Sequence, residues 1–317
     1  MRRQSTNLRT FAAWFLFSLI LICGARFPAL TRADDDAETG LLEIGGAPKA
    51  LALATTPEAI KIVSYNIRYR CGEDLKRLIE LFKTDEEIGR AHIIGLQEVD
   101  RNKKRTGNVN TARLMADELG MYYAWAAPPP PPSKEKKPQE EETGVAILSV
   151  YPLADVTRFV LPNEGPGGRR RAAIGATVKI GTTSVRVYSI HAEIRTSNER
   201  RLQQVGAVLE DLKAQHAQTE RAVVLGDFNT LTGKDVDGTN ALFTNAKFTT
   251  PFNNEISTWK TFIIELKLDW LWLRNLSPTS HGIDKKIGLS DHWPLWVTVK
   301  LGDGKQEAGA RIQKPQE

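Results

Sequence analysis

The apolar run Val223-Val224-Leu225-Gly226 leads directly into Asp227-Phe228-Asn229, which places a carboxylate and an amide two residues apart. The run predicts a buried strand, and alternate residues of a strand point to the same side, so Asp227 and Asn229 are expected together at a sheet rim. Gly226 would let the backbone approach a ligand closely. Asp and Asn after a strand are equally typical of a turn, so other segments must decide between a turn and a site.

Other strand-like segments of the chain also end in polar residues or contain them. Asp269 lies within the apolar segment 268–273, where burial of a carboxylate is costly unless it is paired. A single histidine such as His191, taken alone, is more often structural than catalytic. Because these residues come from six separate segments, we expect them to converge on one site at the mouth of a sheet sandwich. The candidate set is Asn66, Glu98, His191, Asp227, Asn229, Asp269 and the pair Asp291-His292.

The periodicity of the chain predicts many strands and few helices, which favours two stacked sheets with helices outside. Amphipathic spacing predicts helices over 73–83, 110–119 and 197–214. The predicted strands are 60–66, 93–96, 122–126, 143–149, 153–160, 171–179, 184–190, 222–226, 268–273 and 294–300.

The N-terminal 33 residues have the layout of a secretory signal. Basic residues precede an apolar run over 11–23, and Thr31-Arg32-Ala33 resembles a cleavage site. The run is short for a membrane span, and an uncleaved anchor helix is the alternative. We therefore predict an exported protein, periplasmic or extracellular. Residues 34–58 are predicted to be a linker and 59–301 the catalytic domain, with a Pro, Lys and Glu-rich loop insertion at 127–142 and a polar tail at 302–317.

Composition excludes several classes of protein. The formal charge of +5 comes from the leader, because the chain after residue 33 has 38 basic and 38 acidic residues. Overall charge therefore gives no support to a DNA-binding surface, although a local basic patch such as Arg169-Arg170-Arg171 could guide a phosphate. Only Cys71 remains after the leader, which excludes a thiolate-rich zinc site and a disulfide-stabilised fold.

Five segments together make the resemblance to a family specific. In their order along residues 60–300, they resemble the motifs of the endonuclease/exonuclease/phosphatase superfamily. The resemblance implies an α/β four-layer sandwich, with two packed mixed β-sheets flanked by helices, and metal-dependent phosphoester hydrolysis. The segments are Ser64-Tyr65-Asn66-Ile67-Arg68, Leu96-Gln97-Glu98-Val99, Gly226-Asp227-Phe228-Asn229, Leu268-Asp269-Trp270-Leu271 and Ser290-Asp291-His292-Trp293-Pro294.

The resemblance also implies roles for these residues. Glu98 would be the main ligand of a divalent ion, with Asn66 and Asp291 beside it. The ion would be Mg²⁺, with Mn²⁺ as the alternative, because oxygen ligands suit such a hard cation. Asp227 would orient or deprotonate the attacking water and Asn229 would hold a phosphate oxygen. His191 and His292 would donate hydrogen bonds to the phosphate. Asp269 would pair with His292 and favour its charged form.

The sequence therefore predicts an exported, divalent-metal-dependent phosphoester hydrolase, with a phosphodiester as the first choice of substrate. Nucleic acid, a phospholipid head group and a small phosphoester remain open, and Arg170 is a candidate substrate contact. No obligate protein partner is inferred. The alternative is a non-catalytic binding module that retains the fold.

Overall fold

The computed structural model describes residues 40–46, 57–131, 142–215 and 221–301. The predicted signal peptide, most of the Pro-rich loop and the polar tail lie outside these ranges. The α-helices of the described ranges are α1 (Gly72–Thr84), α2 (Thr111–Leu119), α3 (Asn198–Ala214) and α4 (Gly233–Asn245). Their strands are β1 (Leu42–Gly46), β2 (Ala59–Asn66), β3 (Ile93–Arg101), β4 (Tyr122–Ala126), β5 (Glu142–Ser149), β6 (Leu153–Val160), β7 (Ala172–Ile180), β8 (Thr183–His191), β9 (Arg221–Asp227), β10 (Trp259–Lys260), β11 (Glu265–Leu266), β12 (Asp269–Arg274), β13 (Ser277–Ile283) and β14 (Leu295–Lys300).

Two large sheets form the centre of the protein. One has the strand order β1-β4-β5-β3-β2-β14-β13, and the second has the order β12-β9-β8-β7-β6. Each is mixed, because β2 runs parallel to β3 and β8 runs parallel to β9 while their other neighbours are antiparallel. Parallel neighbours end at the same edge of a sheet, and the polar residues at or near the ends of these strands are thereby grouped within each sheet.

Three apolar layers hold the sheets and helices together. The central layer lies between the two sheets, where Ile62, Ile147 and Leu225 are fully buried. The outer face of the seven-stranded sheet packs against α1 and α2, and the outer face of the five-stranded sheet packs against α3 and α4. This helix–sheet–sheet–helix arrangement confirms the predicted four-layer α/β sandwich.

The segment predicted to be a linker contains an ordered strand. Residues 42–46 form β1, which pairs with β4 at the edge of the seven-stranded sheet. Glu43 fixes this strand by accepting hydrogen bonds from Arg101 (3.3 Å), from Tyr123 (2.5 Å) and from Arg113. The prediction was wrong here because five residues with two glycines have almost no strand signal without their partners.

Four further elements are absent from the sequence prediction. Helix α4 is rich in polar residues, although the capping box between Thr232 and Asp235 is a signal that could have located its start. Strand β13 is an exposed edge strand without an apolar pattern, and β10–β11 is a short hairpin. Among the described residues, no helix has the length and apolar character that crossing a membrane requires.

Candidate active site

Three neighbouring strands of the five-stranded sheet place His191, Asp227 and Asp269 side by side. Asp227 ends β9, and its Cα is paired with that of His191 on β8 and with that of Asp269 on β12. All three side chains are buried, and Asp227 is only 2% exposed. These three side chains therefore stand at one rim of the five-stranded sheet, at the ends of ordered strands rather than on loops.

The Asp227 carboxylate is the point at which the predicted residues meet. Its Oδ2 lies 3.0 Å from Asn66 Nδ2, 3.5 Å from His191 Nε2 and 3.7 Å from His292 Nε2. Its Oδ1 accepts the backbone N–H of Asn229 at 2.9 Å. Burial raises the pKa of Asp227, and the positive charge of His292 opposes that rise. A carboxylate with a raised pKa is suited to accept a proton near neutral pH.

Asp269 and His292 form a buried hydrogen-bonded pair. Asp269 Oδ2 lies 2.8 Å from His292 Nδ1 and also accepts the Thr258 hydroxyl at 2.8 Å. Burial would lower the pKa of His292, but the carboxylates of Asp269 and Asp227 outweigh it and raise the pKa to about 9. His292 is therefore an imidazolium at neutral pH, and its Nε2–H faces Asp227.

His191 is kept neutral by its surroundings. Burial, the Arg171 guanidinium and the His292 charge hold the pKa of His191 well below its ordinary value. Arg171 Nη1 lies 3.5 Å from Nδ1, and because a guanidinium can only donate, the ring proton resides on Nε2. His191 thus presents a neutral N–H donor to Asp227, next to the charged donor His292.

Two expectations about the segment Gly226-Asp227-Phe228-Asn229 change in detail. Gly226 has a φ of +135°, and a Cβ there would lie 2.0 Å from Ile190 O, so the glycine admits the neighbouring strand rather than a ligand. Asn229 has a φ of +53°, and its amide nitrogen donates to Ala192 O at 2.9 Å. One amide hydrogen of Asn229 is therefore committed to the fold, and the other is the group that can reach a phosphate oxygen.

The residues predicted to hold a metal differ in how well they suit that role. Glu98 lies at a bulge of β3 and has a φ of +55°. Among the described residues, its carboxylate accepts one long hydrogen bond, from Asn66 Nδ2 at 3.5 Å. Asn66 Oδ1 accepts the backbone N–H of Arg68, which turns the amide nitrogen toward Glu98 and Asp227. Asn66 therefore acts as a hydrogen-bond donor between the two carboxylates in this orientation.

Asp291, the third predicted ligand, is paired with a positive charge. Its carboxylate lies 2.9 Å from Arg68 Nη1. The hydrogen bond to Tyr69 and the charges of Asp291 and Glu98 raise the pKa of Arg68. Glu98 and Asp291 are both carboxylates, the oxygen ligands that a hard divalent ion prefers. Ligand atoms of Asp227, Asp269 and His292 also lie within 4.8 Å of one another. Within that trio, Nδ1 of His292 is hydrogen-bonded to Asp269, which leaves Nε2 as its possible ligand atom.

A pocket of about 380 Å³ opens beside Glu98. Arg105 stacks over the Tyr69 ring, with 3.5 Å between Cζ and the ring centroid, and is fixed by a bidentate pair with Asp100. Neither Tyr69 nor Arg105 is among the site residues predicted from the sequence. Tyr69 directly follows the segment Ser64-Tyr65-Asn66-Ile67-Arg68, but Arg105 carries no local signal. Residues that line the pocket are Tyr69, Glu98, Lys103, Arg105, Pro128, Pro129, Pro130, Pro131, Glu142, Thr143, Arg169, Arg170 and Arg171.

The basic triplet has both structural and pocket-lining roles. Arg169 and Arg171 bind the buried Glu193 carboxylate, Arg171 at 3.1 Å. Arg170 lines the pocket and donates to Glu164 at 2.6 Å. The triplet is therefore neither a simple solvated run nor a set of bare cations, because each guanidinium is positioned by a carboxylate.

The chain belongs to the endonuclease/exonuclease/phosphatase family, whose model matches residues 63–292. Members of this family are phosphoester hydrolases, and the family is generally dependent on divalent metals. The matched range includes Asn66, Glu98, Asp227 and His292 and contains strands of both large sheets. No curated protein sequence matches the chain.

Solved structures of this family share the fold at low sequence identity. The endonuclease/exonuclease/phosphatase from Bacteroides vulgatus is 19% identical, with a TM-score of 0.59 over 78% of this chain and 100% of that one. The human Nocturnin catalytic domain with bound sulfate anion is 18% identical, with a TM-score of 0.58 over 82% and 97%. ANGEL2, a 2′,3′-cyclic phosphatase, in complex with adenosine-2′,3′-vanadate, is 14% identical, with a TM-score of 0.57 over 76% and 95%.

Proposed function

We propose that this protein is a divalent-metal-dependent phosphodiesterase. The observation that carries the proposal is the buried Asp227 carboxylate, which has Asn66, His191 and His292 within 3.7 Å of one oxygen and lies beside the Asp269–His292 pair. A proton acceptor beside two imidazole donors is the arrangement that attack of water on phosphorus requires.

The residues divide the chemistry between them. Asp227 accepts the proton of the attacking water, because its raised pKa matches neutral pH. His292, held as an imidazolium by Asp269, donates toward the negative charge that develops on phosphate oxygens. His191 supplies a second, neutral donor. Glu98 and Asp291 would hold the divalent ion, which would neutralise non-bridging oxygens and orient the phosphate.

Membership of the family indicates the type of reaction, whereas the class of substrate must be argued from the site itself. Nucleic acid, a phospholipid head group and a small phosphoester all present a phosphodiester or phosphomonoester to such a site. The adjacent pocket favours a substrate with a further anionic or planar group, because Arg105 and Arg170 line it. The leader at 1–33 supports export to the periplasm or the extracellular space, or anchoring if it is not cleaved.

Turnover of the full chain on matched substrates tests the proposal. The substrates are plasmid DNA, RNA, sphingomyelin and bis-p-nitrophenyl phosphate, each with Mg²⁺, with Mn²⁺ and with EDTA. His292→Ala is the active-site variant, and His281→Ala is its matched control because His281 lies on the exposed edge strand β13. Metal-dependent turnover that His292→Ala alone abolishes supports the enzyme. A folded, metal-binding protein without turnover on any substrate favours a binding module.

A further inference from the structure

The hairpin β10–β11 carries an unusual apolar tip. Phe262 is 99% exposed, Ile263 is 83% exposed and Ile264 is 49% exposed. We call these three residues the apolar tip. Among the described residues, only two other large hydrophobic side chains, Ile44 and Ile194, are exposed, and neither belongs to the hairpin. Consecutive apolar side chains in water at one point of a surface indicate an interaction site.

The turn itself does not account for these residues. Thr261 N donates to Ile264 O at 2.8 Å, which closes the hairpin and leaves Phe262 and Ile263 as its two turn residues. Two-residue turns favour Gly, Asn or Asp, and bulky apolar residues gain nothing there from the turn geometry. Because they also contribute nothing to the core, these side chains point to a contact outside the chain.

The base of the hairpin is attached to the active site. Trp259 is bridged to His292, and Lys260 N donates to Asp291 O at 2.9 Å. Thr258 Oγ1 donates to Asp269 Oδ2 at 2.8 Å. A surface that receives the apolar tip is thereby held close to the reacting groups.

Two lysines lie at the base of the hairpin. The side chains of Lys260 and Lys285 are 54% and 49% exposed. Glu265 lies 3.5 Å from Lys260 and 3.7 Å from Lys285, so the surface is moderately and not strongly cationic. Apolar side chains at a tip with lysines behind them match the order of a bilayer surface, where acyl chains lie beneath phosphate groups.

We propose that the apolar tip inserts into the surface of a phospholipid bilayer and presents the active site to phosphodiesters in that surface. The inference that membrane phospholipid is the substrate rests on the proposed function, whereas the docking itself does not. A protein partner fits less well, because three side chains on a narrow hairpin fall far short of the ~800 Å² per partner of a stable interface. A bilayer, in contrast, gains from each inserted side chain separately.

Vesicle binding of the full chain tests the docking without any need for turnover. Sedimentation is measured with phosphatidylcholine vesicles and with mixed phosphatidylcholine and phosphatidylglycerol vesicles, in EDTA. The variant Phe262→Ser/Ile263→Ser is expected to weaken binding by about 100-fold, because each large apolar side chain that leaves an apolar environment contributes roughly tenfold or more. Ile44→Ser is the matched control: Ile44 is 54% exposed and lies on β1, at the opposite edge of the sheet from β13.

A second readout separates docking from chemistry. Turnover of the soluble bis-p-nitrophenyl phosphate is expected to be equal in wild type and in the tip variant, while turnover of phospholipid in vesicles falls with binding. Wild type that does not sediment with either vesicle, or a tip variant that binds as wild type does, overturns the proposal. Self-association that the tip substitutions abolish, without vesicle binding, overturns it in favour of contact between copies of the chain. Vesicle binding without turnover of any substrate supports the docking and contradicts the proposed function.

Discussion

Asp269 is the residue on which the charge state of the site depends. One of its oxygens binds both His292 and Thr258, while its Oδ1 is buried without a hydrogen-bond partner among the described residues. Without the negative charge of Asp269, nothing in the immediate surroundings of His292 except Asp227 and Asp291 would favour the imidazolium.

Asp269→Asn is expected to lower the pKa of His292 and to lower kcat by about 10²–10³, the usual cost of losing one preorganised electrostatic contact. Titration of the His292 imidazole by NMR in EDTA, together with kcat on bis-p-nitrophenyl phosphate, provides the measurement. Asp237→Asn on α4 is the control for a lost aspartate far from the pair. An unchanged His292 titration would contradict this role of Asp269.

The pH dependence of stability follows from the same pair. A histidine whose folded pKa is raised stabilises the folded protein fully below its unfolded pKa, near 6.5, and that contribution is lost as the pH rises through the folded pKa of about 9. We therefore expect the free energy of unfolding of metal-free wild type to fall between these pH values. Urea unfolding in EDTA should give a shallower fall for Asp269→Asn, and equal slopes would contradict the prediction.

At the scale of the element, Gly226 determines how closely β8 and β9 can approach. Its φ of +135° is strained for any residue with a Cβ, and Ile190 O occupies the position that a Cβ would take. Gly226→Ala is expected to cost at least about 2 kcal/mol of stability and to displace Asp227.

The control for that change is Gly233→Ala, because a Cβ at Gly233 would meet no atom within 4 Å. It begins α4, where alanine is tolerated, and its stability is expected to equal or exceed that of wild type. Urea unfolding and kcat of both variants test whether the absence of a Cβ at Gly226 is required for stability and for the position of Asp227. Equal stabilities would mean that the close strand approach at Gly226 is not required.

Strand β1 is an element that depends on a single carboxylate. Glu43→Gln removes the charge that Arg101, Arg113 and Tyr123 share, with an expected loss of about 1–3 kcal/mol in the free energy of unfolding and no change in kcat. Glu73→Gln is the control, since its side chain is 87% exposed and forms a surface ion pair with Lys76. A loss of kcat in Glu43→Gln, at full stability, would instead connect β1 to the active site.

At the scale of the whole molecule, bound metal should stabilise the fold. A ligand that binds only the folded protein contributes about 2.7 kcal/mol at a concentration of 100 times Kd. Mg²⁺ or Mn²⁺ is therefore expected to raise the Tm of wild type, and this rise should disappear in Glu98→Gln. Glu118→Gln, at an exposed position on α2, should keep it. An equal rise of Tm in Glu98→Gln would assign the ion to other ligands.

Sequence patterns predicted the strands that deliver the site, because β2, β3, β8, β9 and β12 are buried and strongly apolar. They also predicted that Asn66, His191, Asp227, Asp269 and His292 belong together, since burying a polar group beside an apolar strand is costly unless a partner meets it. What they could not predict depends on contacts distant in sequence. The Arg105–Tyr69 stack and the neutral state of His191 each require a partner at least 20 positions away. The amide orientation of Asn66 is a local exception, because it depends on how the backbone turns to bring the N–H of Arg68 to its oxygen.

The site is divided between the two sheets. Asn66 and Glu98 belong to the seven-stranded sheet, whereas His191, Asp227 and Asp269 belong to the five-stranded sheet. Neither half contains the whole of the proposed catalytic set, so turnover is expected only after the sheets have docked. Recovery of activity during refolding should consequently lag behind recovery of the far-ultraviolet circular dichroism signal. For this chain, the time at which catalytic activity appears would report when the last step of folding, the docking of the two sheets, is complete.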